Sequence, residues 1–172
     1  MTQSSNPLDR SKHATRSNES RMCGRYPGCN ASEPSAGDAS DIDAGHCEED
    51  GHACEQYARG KGWKIIVAIV DAGGVLKQFS RMDDSFMISV EISQIKAHTS
   101  AGVPVSSRKF GEIAKANPGL ELVPNTATFA GGLPIITASG THIGGIGVSG
   151  ASGDQDEECA QVALDAVKDV LK

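Results

Sequence analysis

Several groups of residues have types and spacings that support chemistry. Gly145-Ile146-Gly147-Val148-Ser149-Gly150 spells GxGxxG, the fingerprint of a dinucleotide site. Ser149 within GVSGA resembles a nucleophile elbow, with Ala151 where the last glycine would stand. Glu91, Lys96 and His98 fall in one short stretch. There a carboxylate or an imidazole can move protons and an ammonium can stabilise an anion or enolate. Cys23, Cys29, His46, Cys47, His52 and Cys54 supply soft ligand atoms towards the beginning of the chain.

Each group meets a physical requirement that it satisfies or fails. A dinucleotide site needs the helix after the glycines to cross to a parallel strand, with an acid about 20 residues on. Only 22 residues, Ala151 to Lys172, follow Gly150 in this sequence, and the dinucleotide reading is set aside. No lysine stands where a Walker loop needs one. The cysteines are spaced C-x5-C and C-x6-C rather than the C-x2-C of zinc knuckles, so no metal site is expected. Gly145, Gly147 and Gly150 then keep two readings. They admit a flat ligand, with free N–H groups of the following helix holding a carboxylate, or they only let another segment pack closely. Lys96 either snorkels at its helix edge or faces a ligand.

The elements that must position these groups follow from pattern. Met1 to Asp43 is rich in Ser, Asn, Asp, Gly and Pro and poor in branched aliphatics, which predicts a disordered tail ahead of a domain over 44–172. A glycine-interrupted helix is expected from Ala44 to Gly60. Trp63 to Val70 is a β-branched run, read as a strand buried on both faces. Asp71-Ala72-Gly73-Gly74 turns it into a second strand, Val75 to Met82. Phe86 to Ala101 reads as a helix with Ile88, Ile92, Ile95 and Thr99 inward. A short helix follows Ser106 or Ser107, and Leu120 to Thr128 has no assignable pattern. Phe129 to Ile136 and His142 to Val148 form another hairpin. Ser152 with Gln155 makes a capping box for a last helix bearing Ala160, Ala163, Leu164, Val167 and Leu171 on its buried stripe. Antiparallel hairpins between helices imply a layered α/β (α+β) sandwich.

Composition excludes other classes. The net charge of −6 comes without a cluster of Lys and Arg, so no nucleic acid partner is expected. No apolar run reaches the roughly 18 residues of a membrane span. The expectation is a soluble, cytoplasmic protein. With an odd count of 5 cysteines, a disulfide framework is not expected.

IVAIVDAGGVLKQFSRMD, SVEISQIKAHTSA, FAGGLPI and HIGGIGVSGASGDQDEECAQVAL occur in the order seen in one family. They resemble the GlcG/HbpS family of haem-binding and haem-degrading-type proteins, which includes the C-terminal domain of PduO-type adenosyltransferases. The resemblance covers about Ala44 to Leu171. It implies a profilin-like three-layer α/β/α fold with a five-stranded antiparallel sheet, assembly into homo-oligomers from dimer to octamer, and haem as cofactor in a pocket shared with a neighbouring subunit. Members hold iron through a first-helix histidine, for which His52 or His46 would stand, or through a threonine hydroxyl, for which Thr99 would stand. His98 and Ala130 depart from the family's usual residues. The alternative to tetrapyrrole binding is a small cofactor-independent isomerase or lyase acting on a carbonyl or carboxylate metabolite. Its catalytic residues would be Glu91, Lys96 and His98.

Overall fold

A computed structural model describes residues 44–169 and Leu171, with side chains described from Gly51 onward. The tail expected over Met1 to Asp43, with Cys23 and Cys29, lies outside the described residues, as do the side chains of His46 and Cys47. The elements in order are α1 (Ala44–Lys61), β1 (Ile66–Asp71), β2 (Leu76–Arg81), α2 (Ile88–Gly102), α3 (Ser107–Ala116), a 3-10 turn (Pro118–Leu122), β3 (Gly132–Ile136), β4 (His142–Ser149) and α4 (Gly153–Val167).

Local chemistry sets the boundaries. Asp71 turns β1 into β2 by accepting from the N–H groups of Gly73 and Val75, each at 2.9 Å, while Gly74 takes φ 77°. Ser152 and Gln155 complete the reciprocal capping box of α4. Leu120 to Thr128 holds a 3-10 turn and a loop, not a fifth strand. Pro124 has no N–H for a ladder, and Asn125 at φ 59° breaks the extended conformation.

The sheet among the described residues has four antiparallel strands in the order β2-β1-β4-β3. Helices cover both faces. On one, Ile65, Val67, Ile69, Ile146 and Val148 pack against Cys54 and Ala58 of α1 and Cys159, Ala160 and Ala163 of α4. There Cys54 and Cys159 form a disulfide with Cα atoms 5.1 Å apart. The cysteine count gave no reason to expect it, because the pairing depends on two helices distant in sequence meeting on one sheet face.

On the other face α2 packs Ala97 and Ala101 on Ala68 and Val70. The buried side of α2 carries Ser89, Ser93, Lys96, Ala97, Thr99, Ser100 and Ala101, not the expected isoleucine stripe. Ile88 is 58% exposed. The reason is the floor beneath the helix. A Cβ on Gly147 would collide with the Ser93 carbonyl oxygen and lie 2.5 Å from the Ala97 nitrogen, and one on Gly145 would lie 2.7 Å from the Ala101 nitrogen. Backbone meets backbone here, so only small residues fit between.

Candidate functional site: a buried lysine at the end of the sheet

Lys96 is the one lysine on the small-residue face of α2, and its side chain is 2% exposed. Its Nζ donates to Asp156 Oδ2 at 2.8 Å and to the Val148 carbonyl at 2.7 Å. Asp156 reaches this point from the first turns of α4, and its Oδ1 accepts from the Ala151 N–H at 3.0 Å. The pair thus ties α2, on one side of the sheet, to the start of α4 on the other. Gly131 makes room for it, since a Cβ there would stand 2.5 Å from Lys96 Nζ and 2.9 Å from the Asp156 Cβ. Burial pushes the Lys96 amine below its ordinary value, and the neighbouring Asp156 carboxylate opposes that shift.

An open cleft of about 220 Å³ lies over the pair, lined by Phe86, Ile92, Phe129, Ser149 and Gly150 among others. The Phe129 ring centroid is 5.3 Å from Nζ, a cation–π distance. An ammonium has three donors, and two of the Lys96 donors are committed. The third has no hydrogen-bond partner among the described residues. Phe86 at 69%, Met87 at 79% and Ile88 at 58% exposure extend an apolar rim beyond it.

The other residues singled out from sequence lie apart. Glu91 and His98 are exposed and do not line the cleft. His98 sits against the β1–β2 turn, where its Nδ1 would be 3.1 Å from a Cβ on Gly74. Lys96, Glu91 and His98 therefore do not form one constellation. Gly145 and Gly147 lie under α2, where the helix backbone already occupies the space in which a flat ligand was expected; only Gly150 of the three reaches the cleft. Thr99 is buried, donates to the Ile95 carbonyl at 2.8 Å and accepts from the Ala127 N–H at 2.7 Å. Its hydroxyl is committed to holding the loop before β3. His52 is exposed on α1, the helix on the opposite sheet face from α2. Asp156, Phe86 and Phe129 had no place among the expected site residues. The signal for Asp156 was the lysine itself, since a cation on the small face of a buried helix needs a buried acid.

An antiparallel sheet with helices on both faces, four strands among the described residues, is a fold shared with solved structures. A family model described as "Haem degrading protein HbpS-like" matches residues 42–165. The chain belongs to that family. It is 30% identical to the structure of HbpS, covering 74% of this chain and 90% of that one with a TM-score of 0.71. It is 27% identical to a structure of a PduOC:Heme complex, covering 73% of this chain and 94% of that one with a TM-score of 0.67. A Citrobacter freundii relative, the uncharacterized 15.0 kDa protein in the dhaT-dhaS intergenic region, is 33% identical over 111 residues, which is 62% of this chain and 78% of that protein. Among the described residues no helix is long and apolar enough to cross a membrane.

Proposed function

We propose that this chain binds a haem-type tetrapyrrole at the Lys96 cleft. The observation that carries the reading is the cleft's composition: an aromatic and aliphatic rim over a buried ammonium with one uncommitted donor. A flat, largely apolar acid matches that combination, with its ring on Phe86 and Phe129 and a carboxylate at Lys96. The likeness to a domain solved with heme supports it. The cleft holds about 220 Å³, room for one edge of a macrocycle. A neighbouring copy in a homo-oligomer covers the remainder, over the exposed Phe86, Met87 and Ile88.

The iron donors fit this cleft less well than the ring does. Thr99 is committed to Ile95 and Ala127. His52 is exposed on α1, on the opposite sheet face, so it would reach iron in this cleft only from a neighbouring copy. Titration of the purified chain with hemin should give a saturable, shifted Soret band. Phe129→Ser and Lys96→Met should weaken it about tenfold or more, and His52→Ala should change the band position. A spectrum identical to free hemin refutes the binding reading. Degradation or sensing of haem would follow from such binding, and loss of the Soret band with a reductant and oxygen tests the former.

A second reading draws on the same lysine. A small carbonyl or carboxylate metabolite could place its oxygen at Lys96 for an isomerase or lyase reaction. Because Glu91 and His98 lie outside the cleft, this reading requires Asp156 as the proton carrier. Solvent deuterium exchange into small keto acids, lost in Lys96→Met, is its test.

A further inference from the structure

A second cleft, of about 270 Å³, lies where the end of α1 meets the start of β1 and the end of β2. Three cations from three separate segments line it: Arg59, Lys64 and Arg81, with Glu55, Met82 and Asp83 completing the wall. We propose that this cleft is a binding site for a compact oxyanion, a phosphate or carboxylate group.

The cations differ in how far they are already used. Arg59 donates to Glu55 at 2.9 Å, and Glu55 also accepts from the Ser80 hydroxyl, so that carboxylate is matched within the fold. Arg81 is held rather than neutralised. Its Nε donates to the Ser85 hydroxyl oxygen at 3.1 Å and its Nη2 to the Ser85 carbonyl at 3.2 Å. Ser85 is buried and anchored by donating to the Met82 carbonyl at 2.7 Å. Two of the five guanidinium donors are thereby spent on orientation, and three remain for a ligand. Lys64 is exposed, and among the described residues neither it nor Arg81 forms an ion pair. Asp83, the one other acid on the rim, is exposed and likewise unpaired among the described residues. Three cations thus face two carboxylates, so an anion meets a cleft of net positive charge in which Arg81 is a pre-oriented guanidinium suited to bidentate recognition.

The setting adds selectivity. The chain carries a net charge of −6, so a local excess of positive charge stands out against a field that repels anions elsewhere.

The test uses the full chain without added ligand, titrated at fixed ionic strength with inorganic phosphate and, separately, with succinate. Amide NMR shifts at Lys64, Arg81 and Ser85 should saturate. Loss of a charge-assisted contact costs about tenfold in affinity, expected for Lys64→Gln and for Arg81→Gln and absent for Lys109→Gln on α3. Saturation by phosphate alone assigns a phosphate ligand, and by succinate alone a carboxylate. Shifts that rise linearly and equal those from sodium chloride overturn the proposal, as does unchanged affinity in Lys64→Gln. Lys64 makes no side-chain hydrogen bond among the described residues, so its substitution tests the site even where Arg81→Gln disturbs Ser85. The readout is independent of any Soret band, so this site and tetrapyrrole binding fail separately.

Discussion

The two faces of the sheet are packed by opposite means. Towards α1 and α4 the strands present Ile65, Val67, Ile69, Ile146 and Val148, and the core there is built from side-chain volume. Towards α2 they present Gly145 and Gly147, and the helix backbone descends almost onto the strand. The first face tolerates exchange among apolar residues of similar size, because bulk can be redistributed. The second does not, because a peptide group cannot move aside as a side chain can. The close approach also places the polar residues of α2, Lys96 among them, inside the molecule, where they meet the start of α4. A chemical site thus grows from the glycine face and a structural core from the aliphatic one.

Neighbouring positions on β4 give the sharpest test of this contrast. Gly147→Ala, whose new methyl would strike the Ser93 carbonyl, is expected to cost more than about 4 kcal/mol or to abolish cooperative unfolding. Ile146→Val on the opposite face should cost only about 1 kcal/mol. Urea denaturation of both variants measures the difference, and equal losses would remove the distinction between the faces.

Next in size is the bolt between the faces. Asp156→Ala strands the Lys96 ammonium in a buried setting and should cost about 3–5 kcal/mol. The double variant Lys96→Met/Asp156→Ala should lose less than that single one, since no charge is then left unpaired. Additive losses in a double-mutant cycle would mean that the two groups do not act as a pair.

On the aliphatic face, reduction of Cys54–Cys159 frees a link across 105 residues of sequence separation. It should lower stability by about 2–4 kcal/mol, read as the difference in denaturation midpoint with and without reductant. The last test concerns pH, and burial of Lys96 sets its sign. Its amine titrates below its ordinary value of 10.5 when folded, so across the window beneath that value the unfolded chain binds more protons. The Lys96 contribution to stability therefore rises with pH through that window and is flat below the folded value. The slope should vanish in Lys96→Met, and a slope unchanged by that substitution would assign it to another group.

Much of the fold was legible because its determinants are local. The β-branched run before Asp71, the Asp-Ala-Gly-Gly turn and the Ser152–Gln155 capping box each name their own conformation, and each element formed within a few residues of its expected bounds. The inward face of α2 was not legible. Ile88, Ile92 and Ile95 recur at helical spacing and would fill an ordinary groove, but which side of a helix is buried depends on the surface it meets. The glycine run suits either a ligand wall or a packing seam, and in the fold Gly145 and Gly147 lie in the seam.

The sequence by itself determined the order of helices and antiparallel hairpins, the family, and the presence of a lysine among small residues. Periodicity, turn chemistry and motif order are properties of neighbouring residues and survive without a partner. Tertiary structure alone decided that Lys96 meets Asp156, 60 residues away, that Cys54 meets Cys159, and that Arg59, Lys64 and Arg81 share one cleft. Those juxtapositions depend on how the two helix layers seat on the sheet, and that seating is set by the absence of side chains at Gly145 and Gly147 as much as by any residue present.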